Sequence, residues 1–134
     1  TGVQTCALPI LQHKAHSPGF LAIVNESKSR VREITIQQYV EIAAEEHILI
    51  DTREDNEWQA GHAQGAIHLS KGIIERDIET AIPEKSKRLI LYCGGGFRSA
   101  MATDNLQKMG YTDVISLDGG WRAWNEAGLP TEKP

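Results

Sequence analysis

Residues 88–100 read RLILYCGGGFRSA, and this stretch decides the fold. Residues 88–92, RLILY, form a short apolar run without the polar alternation of a half-exposed strand. Such a run is a strand buried on both faces, as in a parallel sheet. Three glycines follow Cys93, namely Gly94, Gly95 and Gly96. Phe97, Arg98 and Ser99 then open a helix expected over residues 97–109, ended by Gly110. A strand that delivers its last residue into a tight turn and then a helix places that residue outside the carboxyl end of the sheet. That is where open α/β sheets bind ligands.

Working outward, the same alternation recurs. Ser17 and Pro18 suit the cap and first position of a helix expected over residues 17–32, with Phe20, Leu21, Val24 and Val31 on one face. Residues 33–35 are expected to be a short edge strand. Thr35 and Gln38 match a capping box, and Ile36, Tyr39, Val40 and Ala43 give the helical stripe behind it. Residues 47–51, HILID, are a second buried strand. A short polar helix is expected over 54–60, closed by Gly61, and a short strand over 66–69. Ile74, Ile78 and Ile82 mark a helix over 71–82, closed by Pro83. A strand over 113–117 and a helix over 121–127 complete the chain. Strands alternating with helices predict an α/β, three-layer fold: a five-stranded, mostly parallel sheet flanked by helices on both faces.

The chain has 134 residues and a formal net charge of -4, which suits a single domain without a basic footprint for nucleic acid. No apolar run approaches the roughly 20 residues of a membrane span. Thr1 to Ile10, TGVQTCALPI, is expected to be non-native. It is the translation of the adapter-like reading ACT GGA GTT CAG ACG TGT GCT CTT CCG ATC, and it is set apart from the domain at 11–134. Cys6 falls in that segment. Cys93 is then the lone cysteine of the domain, which excludes an internal disulfide and points to a reducing, cytoplasmic setting. The five histidines show no ligand spacing, so no metal and no cofactor is expected.

The chemistry follows from the loop. Glycines tolerate positive φ and leave the backbone open, so successive N–H groups are expected to curl around the Cys93 sulfur as an anion-binding nest. The helix N-terminus and Arg98 add positive potential. Each feature favours a thiolate, and the open glycines leave room for a second sulfur.

These residues carry a family resemblance. CGGGFRS at 93–99 resembles the CxxGxRS loop of single-domain rhodaneses. DTREDNEWQAGHAQGA at 51–66 resembles the family's DxRxxxEWxxGHIxGA, and LDGGWRAW at 117–124 its LxGGWxxW. The resemblance spans about residues 33–130, departing at Ala63 and Gln64, where Ile-Pro is commoner; a packing effect alone is expected there. It implies sulfur transfer through a Cys93 persulfide, with Gly94, Gly95, Gly96, Phe97, Arg98 and Ser99 binding substrate. The expected partners are a small sulfur donor such as thiosulfate and a thiol, cyanide or protein acceptor, with no nucleic acid and no membrane. Asp51, Arg53, Glu57 and His62 are read as supporting residues that tie loops together. Trp121 and Trp124 are read as core residues.

Two other readings compete: a regulatory or protein-binding module, and a cysteine phosphatase. Phosphatase loops place one more residue between Cys and Arg than the four here, Gly94 to Phe97.

Overall fold

The computed structural model describes residues 16–134. The expectations for residues 1–10, including Cys6, lie outside the described residues. In chain order the elements are α1 (Pro18–Lys28), β1 (Arg32–Ile34), α2 (Ile36–Ile42), β2 (Ile48–Asp51), α3 (Asp55–Gln59), β3 (His62–Ala63) and β4 (Ile67–His68). They continue with α4 (Ile74–Ala81), β5 (Leu89–Tyr92), α5 (Phe97–Lys108), β6 (Val114–Leu117), α6 (Gly120–Glu126) and β7 (Thr131–Glu132). The main sheet has five strands in the order β1-β6-β5-β2-β4. Every neighbouring pair is parallel, so the expected three-layer α/β fold is the one observed.

β5 is central because all four of its residues are apolar or aromatic and buried. Its side chains alternate between the sheet's faces. Leu89 and Leu91 join Ile74 and Ile78 of α4 and Ile82 at its end, with Ala102 and Leu106 of α5. Ile90 and Tyr92 join Ile36 and Tyr39 of α2 and Trp124 of α6. Burial on both faces explains why the sequence shows a continuous apolar run.

Three expectations are corrected. The first helix stops at Lys28, and Val31 lies outside it, because Arg32 already pairs with Ile115 in the sheet. Helix α1 instead packs on α5 through buried Val24 and Ser27, while Phe20 and Leu21 are half-buried. Ser27 Oγ donates to Asp104 Oδ2 at 3.2 Å, and Arg30 makes a two-pronged contact with the same carboxylate at 3.0 and 2.6 Å. In α2 the capping box forms as expected, with Gln38 N–H to Thr35 Oγ1 at 3.2 Å and Thr35 N–H to Gln38 Oε1 at 2.8 Å. Its inward face is Ile36 and Tyr39, whereas Val40 is 53% exposed and Ala43 is the C-cap. A small antiparallel pair of β3 and β7, absent from the sequence reading, joins His62 to Glu132 and Ala63 to Thr131.

Candidate active site

Cys93 directly follows β5, at the carboxyl end of the central strand. Its sulfur accepts a hydrogen bond from Gly96 N–H at 3.1 Å. Three contacts explain that orientation. The carbonyls of Cys93, Gly94 and Gly95 accept from Trp121, Arg122 and Gly119 N–H at 2.7, 3.2 and 3.2 Å. All these peptides are trans, so each N–H points away from its own peptide's carbonyl. The carbonyls turn toward the start of α6, and the N–H groups of Gly94, Gly95 and Gly96 turn away from it. Of these, Gly96 N–H makes the direct hydrogen bond to sulfur in this state.

Glycine is required at two of these positions. Gly96 has φ +108°, and a methyl group there would lie 3.3 Å from Gly119 N. Gly120 has φ +47°, and its methyl group would fall 2.2 Å from the Cys93 carbonyl oxygen. Gly120→Ala is therefore expected to push α6 off the loop. The left-handed conformation alone costs about 1–2 kcal/mol, and the collision adds to it. A lowered urea midpoint together with loss of turnover is the expected result; wild-type values of both would show that the contact is dispensable.

Arg98 does not stand as an isolated cation. Its guanidinium grips Glu57 at 2.8 and 3.2 Å. Glu57, on α3, also accepts Glu54 N–H at 3.0 Å. The hydrogen bond from Arg98 holds the Glu57 carboxyl below its ordinary range. The bond to Glu57 in turn holds the Arg98 guanidinium above its ordinary range. Phe97 is half-buried, 4.8 Å from His16 and 6.1 Å from Phe20 between ring centres. Ser99 is fully buried, and its hydroxyl faces Ser116 Oγ at 2.9 Å, away from solvent.

Of the supporting residues, Asp51 and Arg53 form a separate buried knot with Tyr92, while Glu57 belongs to the Arg98 pair. Asp51 is 0% exposed and Arg53 3%. Asp51 accepts from Arg53 N–H, Nε and Nη2 and from Tyr92 O–H at 2.6 Å. Arg53 Nη2 also donates to the Gly61 carbonyl at 2.7 Å, and Ala63 N–H donates to Tyr92 Oη at 3.0 Å. The guanidinium lies 4.5 Å from the Trp121 ring centre. Burial, and then the bond to Asp51, raise the Tyr92 hydroxyl far above its ordinary range. The knot joins the ends of β2 and β5, the turn before β3, and α6. His62 is stacked flat on Trp58 at 3.4 Å, with Nδ1 3.0 Å from the Ala63 carbonyl. Trp124 is buried and donates to the Pro130 carbonyl at 2.8 Å.

Above the sulfur opens a cleft of about 830 Å³, lined by Cys93, Gly94, Gly95, Phe97, Arg98 and Glu57. His16 and Phe20 line it too, from the N-terminal segment, with Asp118, Gly119 and Arg122 from the start of α6. These five were missed in the sequence. The only signal for the last three was their place in LDGGWRAW.

A strand-end cysteine, a glycine loop clamped from behind and an Arg–Glu pair beside the sulfur define a class. Residues 35–127 match the family model described as a rhodanese-like domain. The chain is 31% identical over 100 residues to thiosulfate sulfurtransferase GlpE of Shewanella oneidensis, covering 74% of this chain and 97% of that protein. A solved structure described as rhodanese with anions, from E. coli, aligns with TM-score 0.58 and 32% identity over 66% of this chain and 99% of that one. A Rhodopseudomonas palustris protein of unknown function, "Possible Tyrosine Phosphatase", aligns with TM-score 0.77 and 28% identity over 89% and 98%. The chain belongs to the rhodanese-like domain family. Within it, the enzyme type is that of the rhodanese sulfurtransferases.

Proposed function

We propose that this enzyme moves a sulfane sulfur from thiosulfate, or a related donor, to a thiophilic acceptor through a persulfide on Cys93. The observation that supports this most is the Gly96 N–H at 3.1 Å from Sγ, held there by carbonyls turned toward α6. The Cys93 thiolate attacks the sulfane sulfur of thiosulfate. The S–S bond of the donor breaks, and sulfite leaves with the bonding electron pair. The outer sulfur, now on Cys93, carries negative charge, which the N–H groups of Gly94, Gly95 and Gly96 stabilise. An acceptor nucleophile, whether thiol, cyanide or protein thiol, then attacks that outer sulfur and returns the electron pair to Sγ. Both steps balance without a cofactor. Phe97 walls the entrance, and Ser99 ties the start of α5 to β6 through Ser116.

The cytoplasm is the compartment this reading assigns, since the lone reactive thiol has to stay reduced. No described helix is long and apolar enough to cross a membrane. Residues 11–134 act as one domain in this reading. Deleting residues 1–10 is expected to leave Tm and turnover unchanged, and a large loss of either would show the segment to be integrated.

The decisive experiment is mass spectrometry after thiosulfate treatment. A reducible one-sulfur adduct on Cys93 is expected. Its absence from folded, reduced protein would overturn the reading.

Arg98 acts in this scheme as half of a pair. Arg98→Ala leaves Glu57 as a bare carboxylate facing the cleft, so a dianionic donor is repelled. The expected loss in kcat/KM for thiosulfate is about 10- to 100-fold. Adding Glu57→Ala should recover part of it. An unchanged kcat/KM in folded Arg98→Ala protein would remove Arg98 from donor binding.

A further inference from the structure

Two walls of the cleft reach beyond what the transfer from thiosulfate requires. One is aromatic: Phe20 and Phe97 lie 6.1 Å apart, with the His16 ring 5.2 and 4.8 Å from them. His16 and Phe20 precede the matched family residues 35–127, so the N-terminal segment adds two of the three rings to the wall that Phe97 begins. The other is cationic. Arg122 is exposed and lines the cleft, and a methyl group placed on Gly95 would lie 3.7 Å from its Nη2. Arg98 is held by Glu57, whereas Arg122 makes no ion pair among the described residues. Asp118, also in the lining, has Oδ1 3.9 Å from Lys28 Nζ. Lys28 Nζ itself lies 5.1 Å from the Phe97 ring centre.

The size of the space points the same way. At about 830 Å³ it falls in the range of sites for organic ligands, about 300–1,000 Å³. An inorganic dianion at the sulfur would leave most of it empty. An organic acceptor with an apolar body and an anionic end would use both walls.

We propose that the cleft selects a carboxylate-bearing organic thiol as sulfur acceptor, with Arg122 holding its carboxylate and the Phe20–Phe97 wall its body. This rests on the persulfide reading. The bound thiolate attacks the outer sulfur of Cys93–S–S⁻, the Cys93 S–S bond breaks, and the thiolate of Cys93 is regenerated as the product leaves as an organic persulfide. Arg122 is a specificity-determining residue for this second step.

The test separates the two steps. The protein is first loaded with thiosulfate, freed of donor and checked by mass spectrometry for the Cys93 adduct. Absence of the adduct overturns the donor reading, and this proposal with it, before any acceptor is added. The loaded protein is then discharged by N-acetylcysteine, N-acetylcysteamine or cyanide; the first two differ in the carboxylate. At subsaturating concentrations N-acetylcysteine should discharge the wild type about tenfold faster than N-acetylcysteamine, the size of one charge-assisted contact. Arg122→Ala should erase that preference through KM, and Arg122→Lys should restore most of it. Phe20→Ala should slow both thiols relative to cyanide. Equal wild-type rates for the two thiols overturn the proposal, as does a preference that survives in folded Arg122→Ala protein.

Discussion

Replacing Cys93 with serine is expected to abolish sulfur transfer and leave the fold intact. The sulfur occupies a site in the backbone that is 1% exposed and receives Gly96 N–H. A serine hydroxyl is nearly the same shape and accepts the same hydrogen bond, so packing changes little. Its oxygen stays protonated at neutral pH and is a far weaker nucleophile than a thiolate. It also cannot hold a sulfane sulfur in a disulfide-like bond. The measurement is a cyanide-coupled thiocyanate assay, with circular dichroism as the folding control. Substantial thiocyanate from folded Cys93→Ser protein would defeat the mechanism. Cys6→Ser is expected to leave activity unchanged, and a loss there would reassign the reactive cysteine.

Asp51→Ala should do the reverse and damage the fold first. Asp51 is the only carboxylate within hydrogen-bonding distance of buried Arg53 among the described residues, and it also accepts the Tyr92 hydroxyl. Removing it leaves a guanidinium uncompensated in the interior. Breaking one side of a buried ion pair costs about 3–5 kcal/mol, a large part of the roughly 5–15 kcal/mol stability of a domain. Replacing both partners with apolar residues of similar volume should cost much less. Urea titration of the two variants decides this. Equal destabilisation by the single and double changes would show that the side-chain shapes matter more than the charges. Activity should fall along with stability in Asp51→Ala, because Arg53 packs against Trp121, whose own N–H holds the Cys93 carbonyl.

What could be read in advance follows from the range of the forces involved. The β5 strand, its cysteine and the glycine loop were legible because burial on both faces and positive φ leave local marks in composition. The isoleucine row of α4 was legible for the same reason, since a core face repeats every turn. The end of α1 was not: pairing of Arg32 with Ile115 spans most of the chain and overrides a local helical pattern that includes Val31. The β3–β7 pair has two residues per strand, too few for any period to show. The Arg98–Glu57 link joins residues 41 positions apart. Each was singled out separately, yet nothing in the sequence said that they neutralise each other. Arg122 and Phe20 escaped for a similar reason, because residues become cleft walls only once distant helices meet.

In the proposed scheme, the bonds between α6 and the sulfur loop also fix when the protein can take up sulfur. Cys93 is synthesised ahead of Gly119, Trp121 and Arg122, whose N–H groups hold its loop. Until those residues dock, the glycine run samples both signs of φ, and its carbonyls turn to water as readily as its N–H groups do. A nascent or partly unfolded chain therefore lacks the ordered N–H cradle that the proposed persulfide needs, and the cradle arises when α6 closes on the loop. Uptake of sulfur from thiosulfate during refolding should begin with the docking of α6 and lag behind formation of the sheet. Chain order thus acts as a safety catch, keeping labile sulfur off chains that are not yet assembled.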